Sequence, residues 1–105
     1  MTNEAKVLET IEVARTSGKI RKGANEVTKA IEKGEAKLVV YAGDVSPKEV
    51  VMHLPLLCKE KRITCIQVSR KEDLGAAAGL AVGTTAVAIV KEGEAKAAIE
   101  ALARA

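Results

Sequence analysis

Apolar residues at Val7, Leu8, Ile11 and Ala14 recur at helical spacing. They predict a helix from Asn3 to Thr16, which Ser17-Gly18 ends. Lys19-Ile20-Arg21-Lys22 reads as a stub of strand leading into Gly23. A second helix is predicted from Asn25 to Lys33, with Val27, Ala30 and Ile31 facing inward and Gly34 as its stop. Residues 36–42, AKLVVYA, form a buried-strand pattern rich in β-branched side chains. In the loop that follows, Ser46 suits an N-cap and Pro47 a first helical residue.

A third helix is predicted from Pro47 to Lys61, with Val50, Val51, Leu54, Leu57 and Cys58 as its apolar positions. Pro55 lies inside it, so a kink or break is expected there. Thr64 to Val68 is the next strand. Ser69 is placed to cap a helix over Lys71 to Ala78, which Gly79 ends. The small residues of Gly75-Ala76-Ala77-Ala78-Gly79 suggest a helix lying close on a sheet. Thr84 to Val90 is a third clear strand, and Gly93 to Ala105 closes the chain as an Ala-rich helix. Strands alternate with helices, which implies α/β layers. Three strands plus the stub at Ile20 make a small sheet with helices on both faces.

The chain has 105 residues, the size of one domain with one core. It holds one Tyr and no Trp or Phe, so the core must be aliphatic. The same lack removes the aromatic platforms on which single-stranded RNA is usually stacked. Net charge is +3, which permits a nucleic-acid partner without demanding one. No apolar run approaches the roughly 20 residues that span a bilayer, and the N-terminal stretch lacks a signal peptide's apolar segment. A cytoplasmic protein is expected.

Little points to catalysis. His53 is the only histidine and sits within a helical pattern, where such a residue is usually structural or solvent-facing. No Ser or Cys stands in a nucleophile-elbow setting, and no dinucleotide or P-loop glycine spacing occurs. Asp44 and Asp73 read as caps. Cys58 and Cys65 form no CxxC and have no histidine cluster, so buried thiols are expected and no metal or cofactor is implied.

The stretch KGANEVTK, residues 22–29, is the exception. Asn25 and Lys29 are i and i+4; Glu26 and Lys29 are i and i+3. One reading is local: Asn25 caps the helix, Glu26 favours its positive end and Lys29 pairs with Glu26. The other is recognition. An amide donates and accepts, a carboxylate takes two N–H donors from a guanine edge, and an ammonium suits guanine O6 and N7. Gly23 lets a backbone come close, N–H groups at the helix start hold phosphate, and Lys19, Arg21 and Lys22 add charge. Regular A-form RNA hides its major groove, so such a set needs an opened groove or non-canonical pairs.

KIRKGANEVTKAIEKGEAKLVVYAGDVSP, HLPLLCKEKRI and LGAAAGLAVGTTAVAIV together resemble the archaeal large-subunit ribosomal protein "seven-Ae" family of kink-turn RNA-binding proteins. The resemblance covers most of residues 19 to 90. It implies a three-layer α-β-α sandwich with a four-stranded mixed sheet. It also implies binding to kink-turns, where tandem sheared G·A pairs flank a bulge. By matching position, Gly23, Asn25, Glu26 and Lys29 would read the guanines, with Lys22 near the backbone. Lys71 would approach the RNA backbone. Leu80, Ala81 and Val82 would pack on the flipped-out bulge nucleotide; the residue-level alternative is a strand entry with Val82 packed inward. Ala81 and Gly83 depart from the acid and the proline often found there. The implied partners are the ribosome, the core proteins of guide particles and ribonuclease P, with the free protein monomeric. Rival readings are a dedicated ribosomal protein of the same fold, a thiol or ligand-binding module using Cys58 and Cys65, and a protein-interaction domain.

Overall fold

The fold is given by a computed structural model that describes residues 4–104. The predicted starts and ends at Asn3 and Ala105 lie outside the described residues. Helix α1 (Glu4–Ser17) leads to strand β1 (Lys19–Lys22) and helix α2 (Ala24–Glu32). Strand β2 (Leu38–Ala42), helix α3 (Glu49–Lys61) and strand β3 (Thr64–Val68) follow. Helix α4 (Lys71–Ala77), strand β4 (Ala86–Lys91), a 3₁₀ turn over Gly93–Ala95 and helix α5 (Lys96–Arg104) complete the order.

The strands form one sheet in the order β1-β4-β2-β3. β2 and β3 are parallel and joined through α3; β4 runs antiparallel to both β1 and β2. α2 and α3 pack together on one face, and α1 packs with α4 and α5 on the other. The result is a three-layer α-β-α sandwich around a mixed four-stranded sheet. The central strands are covered on both faces, so Leu38 to Val40 and Ala86 to Ile89 are buried without alternation. Val7, Ile11, Val27, Ile31, Leu54 and Leu74 fill the space between sheet and helices.

The glycine stops are physical. Gly34 has φ +72; its N–H reaches Ile31 O at 3.0 Å and that of Glu35 reaches Ala30 O at 2.9 Å. Gly79 has φ +79 and ends α4 in the same way, with Gly79 N–H to Ala76 O and Leu80 N–H to Gly75 O. Both are paired end-of-helix bonds that use the left-handed conformation.

The predicted serine caps are absent. Ser46 and Pro47 precede α3, joined by a cis peptide, and Lys48 takes the cap position. The Pro47 and Lys48 carbonyls accept the N–H groups of Val50, Val51 and Met52. Ser69 is drawn away by α1: its N–H and hydroxyl donate to the two oxygens of Glu4 at 2.7 and 2.8 Å. Asp44 caps α4 from a distance, accepting the Lys71 N–H at 2.8 Å. Nor does Pro55 break α3, which runs through it. Val51, Leu54 and Cys58 are buried before and after the proline on one face, and that packing outweighs one missing hydrogen bond. Val50 is exposed and Leu57 half-buried, so the apolar face of α3 is narrower than predicted. The last helix starts as a 3₁₀ turn. β4 starts at Ala86 because Thr84 is tied to α4 through its N–H and the Lys71 carbonyl.

Cys58 lies in the core, and Cys65 is partly covered. A hydrogen bond with Cys58 and burial push the Cys65 thiol up. The same hydrogen bond draws the buried Cys58 thiol below its ordinary value.

The two hydrogen bonds from Ser69 hold the Glu4 carboxyl below the ordinary value of 4.5. A depressed folded-state value contributes stability above the unfolded value, and this is lost as pH falls through the folded one. Glu4→Gln should therefore be less stable than wild type at neutral pH, with the difference shrinking below pH 4.5. Urea unfolding at several pH values measures this; a constant difference would contradict it.

Candidate nucleic-acid interface

Parallel β2 and β3 leave the sheet at Ala42 and Val68, and α3 and α4 begin just beyond. β4 enters at the same end, where Ala86 lies opposite Tyr41. β1 finishes there too, with Lys22 opposite Val87, and α2 starts immediately after it. One edge therefore gathers the N-termini of three helices and the loop between α4 and β4. Helix N-termini carry partial positive charge, and exposed Lys22, Lys29 and Lys71 add to it.

The start of α2 is built by its backbone. Gly23 occupies the cap position at φ 95 and ψ 148, a region almost reserved for glycine. Nothing lies within 4 Å of where its Cβ would stand, so conformation, not crowding, requires the glycine. Its N–H donates to Ala86 O at 2.8 Å, and Ala24 N–H donates to Thr85 Oγ1 at 3.1 Å. The Gly23 carbonyl accepts Val27 N–H at 2.9 Å and opens the helix. The N–H groups of Asn25 and Glu26 meet no acceptor among the described residues.

This geometry bears on the two readings of the trio. Asn25 does not cap the helix, because Gly23 holds that position and no side chain bonds there. Val27, Ala30 and Ile31 are buried, so Asn25, Glu26 and Lys29 are turned outward together. Lys29 Nζ lies 3.9 Å from Glu26 Oε1, with the side chains 64% and 55% exposed. A pair this wet and long contributes little and leaves both groups free to exchange partners. A hollow of about 150 Å³ lies beside them, lined by Arg21, Glu26, Lys29, Ala30, Lys33 and Glu35. Arg21 and Lys33 are thus cations beside the trio; Arg21 was read only as general charge, and Lys33 only as a helix end.

Lys71 is the first residue of α4, and its stem runs beside Gly83. Leu80, Ala81 and Val82 form a loop, as predicted. The alternative in which Val82 packs inward fails: Val82 is 72% exposed. Leu80 is instead half-buried against the core, and Ala81 is exposed. The loop lies tight on α4. A Cβ on Gly75 would collide with the Val82 carbonyl, so the small residue admits the loop and not the sheet.

A family model described as the ribosomal protein L7Ae/L30e/S12e/Gadd45 family matches residues 5–99. The chain belongs to this family. Among solved structures of the L7Ae fold, the 15.5kD RNA binding protein of Giardia lamblia superposes with a TM-score of 0.90. It is 29% identical and the match covers 99% of this chain and 88% of that one. The L7Ae-type sandwich is thus reproduced almost end to end. No helix of the described residues is long and apolar enough to cross a membrane.

Gly23→Ala should destabilise the fold by about 1–3 kcal/mol through backbone strain alone. Chemical denaturation measures it. An unchanged midpoint would mean that Gly23 is not confined to φ 95 in solution.

Proposed function

We propose that the chain is a non-enzymatic RNA-binding protein that selects and stabilises kink-turns. The observation that carries the proposal is the start of α2. An amide, a carboxylate and an ammonium stand exposed on one turn, beside two open N–H groups, and neither the helix cap nor its buried face uses them. Membership of a ribosomal protein family, and likeness to a protein named for RNA binding, support the class of ligand.

In this reading Asn25, Glu26 and Lys29 contact the edges of the two guanines in tandem sheared G·A pairs. Gly23 lets the strand approach, and Lys22 and Lys71 neutralise phosphates. The exposed Val82, with Ala81, offers an aliphatic surface to the unstacked bulge nucleotide, while Leu80 supports it from below. Kinked and extended RNA interconvert, and a protein that binds only the kinked form shifts the population toward it. Residues 1–105 then act as one RNA-binding domain, monomeric when free and working in the cytoplasm without a metal or cofactor. Its RNAs would be ribosomal RNA and box C/D and H/ACA guide RNAs. The bound kink would recruit guide-particle core proteins and serve ribonuclease P.

Glu26→Ala should weaken binding to a kink-turn by about 1–3 kcal/mol, and Glu26→Gln by less because one acceptor remains. Calorimetric titration with a kink-turn RNA and a control carrying Watson–Crick pairs in place of G·A tests this. Unchanged affinity in the alanine variant would remove Glu26 from the site.

The loop gives a different signature. Val82→Ser should weaken binding by a similar factor whichever base occupies the bulge, because an aliphatic surface holds any base. It should leave the G·A discrimination and the unfolding midpoint unchanged. Leu80→Ser should lower the midpoint as well. Strong dependence of the Val82 effect on bulge identity, or none at all, would sink the platform.

A further inference from the structure

Thr28 lies one turn beyond the start of α2, and its Oγ1 is 2.7 Å from the Ala24 carbonyl oxygen. The same Oγ1 is 2.7 Å from Nε2 of His53, on α3. A threonine hydroxyl has one proton, and a carbonyl oxygen can only accept. The proton therefore goes to Ala24, and His53 must supply the other bond from its own N–H. This assigns a proton to Nε2 of the ring.

The bond is one link in a longer chain. Ala24, whose carbonyl receives the Thr28 hydroxyl, donates its N–H to Thr85 Oγ1 at 3.1 Å. Thr85 stands where the loop carrying Val82 enters β4. Side-chain hydrogen bonds thus tie α3 to the first turn of α2, and that turn to the loop. Without them, Ala24 and its neighbours Asn25 and Glu26 would be held by backbone bonds alone, those at Gly23 and Val27 and those of the helix itself. A helix start with two open N–H groups is otherwise prone to fray.

We propose that His53 is a positioning residue for the recognition edge, acting through Thr28 on the first turn of α2. It touches no guanine-reading group itself. It holds the turn that aims Asn25 and Glu26, so its loss is felt as misplacement rather than as a missing contact. The effect on RNA rests on the kink-turn reading; the positioning does not.

Two arms test it. In the free protein, long-range ¹⁵N–¹H spectra at a pH where the ring is neutral should show the Nε2–H tautomer. Amide exchange at Val27 and Thr28 should be several-fold faster in Thr28→Val and His53→Leu. It should return toward wild type in His53→Gln, whose amide nitrogen reaches the position of Nε2. In the second arm, His53→Leu and Thr28→Val should each weaken kink-turn binding about three- to tenfold. The double variant should lose no more than the larger single loss, and His53→Gln should recover most of it.

Each result has a meaning. An Nδ1–H tautomer, or unchanged exchange in both variants, overturns the positioning role. Additive losses without rescue by glutamine overturn it too, because they would mark simple packing. Should His53→Leu fail to fold, Thr28→Val and His53→Gln carry both arms. If wild type binds no kink-turn, the functional reading falls while the exchange arm still decides the positioning.

Discussion

The recognition edge hangs on two residues at the mouth of β4. Thr85 accepts Ala42 N–H through its carbonyl at 3.0 Å and Ala24 N–H through its hydroxyl at 3.1 Å. Ala86 accepts Gly23 N–H at 2.8 Å. The end of β2, the start of α2 and the loop before β4 are thus held by Ala86, the first residue of β4, and by Thr85 just before it. That strand is buried on both faces at the centre of the sheet. A polar edge gains its rigidity from a core strand, and no surface ion pair is needed for it. Opening this junction would free α2 at its first turn and leave the trio without a fixed direction.

Much of the frame could be read because it rests on local rules. Gly34 and Gly79 stop helices where a left-handed residue is required, and that need is visible in the residue type. The inward faces of α1 and α2 followed from 3.6-residue spacing. What could not be read depends on contacts far apart in sequence. Ser69 is a good cap by type but sits beside Glu4, 65 residues away, and its hydrogen-bonding capacity is used there. Asp44 caps a helix that begins 27 residues later. The continuity of α3 through Pro55 was illegible for the same reason: packing on Leu54 and Cys58 decides it, not propensity.

The same distinction runs through the candidate site. Glycine at 23 and the three polar residues behind it were legible, because their types and spacing are unusual together. Their orientation was not. Only the fold shows that Asn25 is free of the cap and that all three side chains share the wet side of α2. In the loop, the apolar stretch was legible but its internal division was not. Leu80 follows the left-handed Gly79, and the paired bonds at the end of α4 turn it back onto the core. Val82 then emerges into water at the next available position.

An aliphatic protein has few ways to hold an unstacked base. With one tyrosine and no Trp or Phe it lacks the several rings of a stacking platform, so selectivity for a base would rest on placement of polar groups. Polar groups discriminate well only if their directions are fixed before binding, since each freed rotor must be ordered at the ligand's expense. Here the side chains stand exposed at the surface, and it is the backbone beneath them that is tied down. Gly23 has a narrow conformation, Ala24 is held on Thr85 and the Thr28 hydroxyl closes back on the first turn. A fixed base under exposed tips would suit the RNA proposed above: the backbone would set which shape fits, and the side chains would exchange water for base edges once it does.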